Sequence, residues 1–163
     1  MKPGMQIAPD SPKLAVVMVG LPARGKSYTA RRIERYLSWL GYRTGVFNVG
    51  EYRRARVGAY VPHSFFDPDN PRGEEARRAA AMAALDDMVA WLTDGGQVAI
   101  YDATNTTRAR RTMVRTRPIA RSASGDTLGG PVVTARRFGR IGNLEQRLSK
   151  SIAETWLPRR EVA

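Results

Sequence analysis

The segment Gly20-Leu21-Pro22-Ala23-Arg24-Gly25-Lys26-Ser27 fits the pattern G-x-x-x-x-G-K-[S/T], a spacing suited to holding phosphate groups. Its glycines let backbone N–H groups converge on phosphate oxygens, and a helix starting at the lysine adds the partial positive charge of its N-terminus. Lys26 can then reach the β- and γ-phosphates, and Ser27 can ligate Mg²⁺. A second candidate is Asp102, at the end of the apolar run Gln97–Tyr101, where an acidic group can stand near the metal and the γ-phosphate. Aspartate is equally common as a turn or capping residue at a strand end, and spacing alone does not choose between these uses. Arg53, Arg54, Arg77, Arg78, Arg108, Arg110 and Arg111 form a third group. Bidentate guanidinium groups suit a phosphorylated second substrate, while solvated surface charge accounts equally well for any one of them.

These residues need a scaffold, and the flanking sequence predicts one. Lys13–Val19 is continuously apolar and ends at Gly20, as expected of a strand buried on both faces. Lys26–Leu40 carries Ile33, Tyr36, Leu37 and Leu40 at helical spacing with Gly41 just beyond, where a left-handed glycine ends many helices. Thr44–Val49 reads as a second strand, followed by a loop or short helix at Gly50–Arg54. Residues 61–73, rich in Pro, Asp and Asn, read as an irregular connection. Glu74–Leu92 predicts a helix with an alanine-rich body and Leu85, Met88, Val89 and Leu92 on its apolar face, stopped by Gly95-Gly96. After the third strand, Thr104-Asn105-Thr106-Thr107 offers capping side chains for a third helix reaching about Arg115. Trp39 and Trp91, at helical spacing among apolar neighbours, read as core, and His63 as an ordinary loop residue.

Three strand–helix units predict an α/β fold of the P-loop NTPase type, a parallel sheet with flanking helices that binds its ligands at the carboxyl ends of the strands. The 163 residues allow one domain with a sizeable core. A formal net charge of +12 implies an anionic ligand, and the absence of cysteine, with a single histidine, excludes disulfide frameworks, thiol nucleophiles and histidine metal clusters. The usual nucleic-acid recognition motifs are missing. Met1–Lys13 has no apolar core of signal-peptide length and no run approaches a membrane span, so the expectation is a cytoplasmic protein without membrane contact.

The segments GLPARGKSY (Gly20–Tyr28), RYLSWLG (Arg35–Gly41), VFNVGEYRR (Val46–Arg54), FFDPDN (Phe65–Asn70), AMAAL (Ala81–Leu85) and DATNTTRARR (Asp102–Arg111) resemble, in order and spacing, the kinase domain of the 6-phosphofructo-2-kinase/fructose-2,6-bisphosphatase family. The resemblance implies transfer of the ATP γ-phosphate to the 2-hydroxyl of fructose 6-phosphate. Carried over by position, Gly20, Leu21, Pro22, Ala23, Arg24, Gly25, Lys26, Ser27 and Tyr28 cradle ATP. Lys26 stabilises the phosphoryl group in flight, and Ser27 and Asp102 stand at Mg²⁺, with Asp102 either a metal ligand or the acid/base group beside the sugar hydroxyl. Arg53, Arg77, Thr104 and Arg110 hold fructose 6-phosphate. Two other functions stay open at this point: a catalytically incomplete ATP-binding module, and a P-loop kinase acting on another phosphorylated substrate or on a nucleic-acid end. A homo-oligomer is also open.

The resemblance covers residues 13–115, after an N-terminal extension of residues 1–12. Residues 116–163, with nine basic and four acidic residues, lack the family's apolar strand ending in an E-S-x-C-x-D-P-type segment, its second ATP-contacting lysine and its later Arg/Tyr substrate region. The expectation is a fold incomplete after its third strand–helix unit, followed by a disordered tail or one translated out of frame. Loss of a fourth strand leaves the 13–19 strand with an unpaired apolar edge unless Val132–Thr134 covers it, and an open edge predicts poor solubility or marginal stability. An amphipathic helix is expected at Asn143–Leu157.

Overall fold

The computed structural model describes residues 13–116 and 132–136. Four strands, β1 (Leu14–Val19), β2 (Thr44–Asn48), β3 (Val98–Asp102) and β4 (Val132–Arg136), form one sheet in the order β2-β3-β1-β4. Every pairing is parallel. The helices are α1 (Lys26–Trp39), α2 (Val49–Val57), α3 (Pro71–Thr93) and α4 (Arg108–Thr116). The expected parallel sheet with flanking helices is therefore present. The open question of the edge is also answered: β4 runs beside β1 from Ala15↔Val132 to Val19↔Arg136. With β3 on its other side, β1 has both rows of backbone groups paired, as a strand buried on both faces requires. The expected Asn143–Leu157 helix lies outside the described residues.

The continuous apolar character of β1 follows from a strand's alternation. Leu14, Val16 and Met18 join Ala30, Ile33 and Leu37 of α1 in one buried cluster, while Ala15 and Val17 join Ala80, Ala81, Ala84, Leu85, Met88 and Leu92 of α3 in the other. Period two along the strand feeds two opposite faces, so both residue sets must be apolar. Alanines at three positions of α3 let that helix come close to the sheet, with the larger side chains filling the space towards its C-terminal end.

Local signals explain most boundaries, and three expectations are corrected. The helix expected at Glu74–Leu92 begins at Pro71, because the side chain of Asn70 accepts from the N–H of Gly73 and Pro71, at the first helical position, has no N–H to leave unpaired. The stretch before it is not wholly irregular: His63–Phe66 forms a 3₁₀ turn whose Ser64 carbonyl accepts from Asn70 at 2.8 Å. Trp39 is 79% exposed and not core. It lies two positions past Leu37, about 200° around the helix, off the stripe that Ala30, Ile33 and Leu37 bury, and stacks on Tyr36 instead. Trp91 does pack against the core, beneath Gly45 and Gly96, where a Cβ would come within 3.1 and 2.3 Å of its indole nitrogen.

Candidate functional site

The carboxyl ends of β1, β2 and β3 place the polar residues of interest on one side of the sheet. The loop from Gly20 to Gly25 leaves β1 and enters α1 through left-handed backbone at Ala23 (φ 56°) and Gly25 (φ 72°). Gly25 fits such a turn without cost, whereas Ala23 is held there by the loop around it. The N–H of Gly20 donates to the carbonyl of Thr104 at 2.9 Å, carrying the β1–β3 pairing past the strand ends. Thr29, one turn into α1, donates its hydroxyl to the Gly25 carbonyl, also at 2.9 Å.

Lys26 is buried, and its ammonium donates to the carbonyl of Leu21 at 2.6 Å, across the loop. Burial lowers its pKa below the ordinary lysine value, and the negative charge of Asp102 works in the opposite direction. The charge of Asp102 is thus felt by the Lys26 ammonium inside the site. Asp102 is itself buried at the end of β3, in register with Asn48 at the end of β2. The side-chain amide of Asn48 donates to Asp102 Oδ2 at 2.5 Å and to Ser27 Oγ at 3.2 Å, and its Oδ1 accepts from the N–H of Glu51 at 3.1 Å as the cap of α2. That cap fixes which end of the amide faces the carboxylate. Lys26, Ser27 and Asp102 are therefore gathered in one place, and Asn48, which composition and spacing do not single out, connects two of them. A polar residue ending an otherwise apolar strand, three before an acidic residue in the first turn of a helix, is the signal that could have found it.

Asn105, which the sequence offers only as one of four capping side chains, has a second role. It is buried with φ 46°, and its amide donates to the Met18 carbonyl at 2.9 Å, tying the β3–α4 connection to β1. The cap of α4 is Thr107, whose hydroxyl accepts from the N–H of Arg110 at 3.3 Å. Arg111 braces the same connection by donating to the carbonyls of Asn105 at 3.1 Å and Thr106 at 2.6 Å.

The residues expected to hold the sugar phosphate fall into two groups. Arg53 on α2 and Arg77 on α3 both come to the His63–Phe66 turn, the first over Phe66 and the second over Phe65. Thr104 and Arg110 belong to the β3–α4 side. Tyr101 stands between the groups: its hydroxyl donates to the Ala81 carbonyl at 2.8 Å, one helical turn beyond Arg77, and feels the charge of Arg110. Burial pushes that hydroxyl up to about 12, against a smaller lowering by Arg110. Leu21, Pro22, Ala23 and Arg24 are exposed along the loop, as is Tyr28, whose neighbour is the guanidinium of Arg32 at 5.9 Å.

Among the described residues no three His, Cys, Asp or Glu side chains come together as a metal cluster. Magnesium does not require one, since it is commonly held by one or two carboxylates together with substrate phosphates and water. The hydroxyl of Ser27 and the carboxylate of Asp102, held through the same amide, suit that ligand type. No helix among the described residues is long and apolar enough to cross a membrane.

A G-x-x-x-x-G-K-S loop between a central parallel strand and the helix after it defines a fold of the P-loop NTPase type. Solved structures agree on the fold: the APS kinase of Mycobacterium tuberculosis superposes with a TM-score of 0.56 at 18% identity, over 88% of this chain and 99% of that one. A Chloroflexus aurantiacus protein described as a kinase also gives 0.56, at 15% identity over 90% and 99%. In sequence, the profile of 6-phosphofructo-2-kinase matches residues 5–123, and the chain belongs to that family. A 6-phosphofructo-2-kinase/fructose-2,6-bisphosphatase of Arabidopsis thaliana is 56% identical over 101 residues, 62% of this chain and 14% of its own length. Form 3 of that enzyme from Rattus norvegicus is 55% identical over 100 residues, 61% of this chain and 18% of the relative. The chain thus spans less than a fifth of the length of these relatives.

Proposed function

We propose that this chain binds ATP with Mg²⁺ and transfers the γ-phosphoryl group to the 2-hydroxyl of fructose 6-phosphate, giving fructose 2,6-bisphosphate and ADP. The observation that carries the proposal is the Ser27–Asn48–Asp102 chain beside the buried Lys26. Phosphoryl transfer needs little from a protein beyond positioning and neutralisation of charge on the transferring group. In this reading the Gly20–Tyr28 loop holds the nucleotide phosphates by its backbone N–H groups, and Lys26 turns its ammonium from the Leu21 carbonyl to the β- and γ-phosphates. Ser27 and Asp102 hold Mg²⁺, which when bound neutralises phosphate charge. Asn48 keeps the carboxylate of Asp102 aligned with Ser27. Arg53, Arg77 and Arg110 neutralise the 6-phosphate, and Thr104 holds the sugar. The bond from the sugar oxygen to the γ-phosphorus forms as the bond to the β,γ-bridging oxygen breaks, releasing ADP and a proton. The site of action is the cytoplasm.

The test is a coupled assay for fructose 2,6-bisphosphate on the full chain, with Lys26→Ala and Asp102→Ala alongside. Product formation lost in both variants supports the assignment. ATP binding without any turnover supports instead an incomplete nucleotide-binding module, and displacement of fructose 6-phosphate by short oligonucleotides supports a kinase of nucleic-acid ends.

A further inference from the structure

Arg53 and Arg77 rest on aromatic rings rather than on carboxylates. Among the described residues neither forms an ion pair with a carboxylate. The Arg53 guanidinium lies 5.7 Å from the ring centroid of Phe66, and that of Arg77 lies 6.0 Å from the ring centroid of Phe65. The two rings meet edge to face, with centroids 5.2 Å apart and planes at 84°. An aromatic face attracts a guanidinium without neutralising it and leaves its N–H donors free, which a carboxylate does not. Arg53 directs one donor to the carbonyl of Gly58 at 3.3 Å.

The turn carrying both rings is fixed against α3. Asn70 donates to the Ser64 carbonyl, and a Cβ on Gly73 would lie 2.2 Å from the carbonyl oxygen of Phe65, so helix and turn are in direct backbone contact. Phe66 is nonetheless 48% exposed. A large ring half in water contributes little to the core, and its face carries the guanidinium.

We propose that Phe65 and Phe66 are positioning residues: their ring faces present the uncompensated charges of Arg77 and Arg53 together, as a preformed seat for the phosphate group of the sugar phosphate. This rests on the reading of fructose 6-phosphate as the second substrate. Ordering two long side chains before the ligand arrives removes part of the entropy cost of binding.

The test uses the full chain, with calorimetric titration of fructose 6-phosphate and, separately, ATP into wild type, Phe65→Leu, Phe66→Leu, the double variant, and the conservative Phe65→Tyr and Phe66→Tyr. Each leucine variant is expected to weaken fructose 6-phosphate about two- to fivefold, the effect of losing one exposed cation–π contact, with ATP affinity held, while the tyrosine variants bind as wild type. In NMR spectra the side-chain Nε–H resonances of Arg53 and Arg77 are expected to lose their ring-current displacement in the leucine variants and keep it in the tyrosine variants. Leucine variants that bind fructose 6-phosphate like wild type overturn the inference alone, as does a parallel loss of ATP affinity, which marks a merely structural role. Wild-type chain that binds ATP but not fructose 6-phosphate overturns the sugar-phosphate reading, and this inference with it.

Discussion

In the phosphate cradle the contacts are short and come from backbone or buried groups: Lys26 to Leu21 at 2.6 Å, Asn48 to Asp102 at 2.5 Å, Gly20 to Thr104 at 2.9 Å. Around Arg53 and Arg77 the contacts are ring faces at 5.7 and 6.0 Å on a partly exposed turn. The first region is built on the sheet, with its donors aimed by the ends of three strands. The second is built on two helices and the turn between them, where long side chains are steered by weak, broad attractions. A site of the first kind suits a ligand whose reacting atoms must be placed to a fraction of an ångström, and one of the second kind suits recognition of a charged handle.

The contrast can be broken from either side. Replacing Lys26 by Ala is expected to have the largest effect, a fall in turnover of about 10²- to 10³-fold, the scale of losing one preorganised charge-stabilising group. Calorimetry with fructose 6-phosphate should show its affinity nearly unchanged, and a comparable loss there would erase the distinction between the regions. Asn48→Ala is expected to lower turnover by about tenfold or more, as removal of a hydrogen bond to a charged group does, and to cost about 1 kcal/mol of stability through the lost cap of α2. Steady-state kinetics and chemical denaturation on the same variant separate the two effects.

On the other side, Gly73→Ala drives a methyl group into the Phe65 carbonyl and must displace the turn. A several-fold rise in KM for fructose 6-phosphate is expected, with KM for ATP held. A rise in both would show that the turn supports the cradle too.

The smallest effect concerns Tyr101, which lies between the regions. Its hydroxyl keeps its proton up to about 12 in the folded chain, against 10.0 as the ordinary value. Between those values the unfolded chain has lost a proton that the folded chain retains, so the contribution of Tyr101 to stability is full below pH 10 and is lost as pH rises towards 12. Tyr101→Phe should flatten the alkaline decline of stability in denaturation series across that window, and an unchanged slope would count against the buried, neutral hydroxyl.

Legibility in the sequence follows the same division. The loop Gly20–Ser27, its strand and its helix were readable because adjacent residues dictate them: a two-faced apolar run, glycines at the turn, and lysine at the helix start. Glu74 and Glu75 mark a helix start three residues too late, because the Asn70-Pro71 pair ahead of them already caps α3. Trp39 reads as core from helical spacing, because that spacing counts apolar neighbours and not the angle of one stripe. Asn48 and Asn105 stayed hidden because their partners are distant: Asp102 is 54 positions from Asn48, and Met18 is 87 from Asn105.

The sequence by itself determined the local chemistry, namely which loop takes phosphate, which strand is buried on both faces, and the excess of cationic side chains. It did so because backbone preference and hydrophobic period are properties of neighbouring residues. Only the tertiary structure decided that β4 covers the free edge of β1, that Asn48 joins Ser27 to Asp102, and that Arg53 and Arg77 settle on two consecutive phenylalanines. Those outcomes depend on strand order and helix placement, which bring together groups tens of residues apart, and no local pattern specifies them.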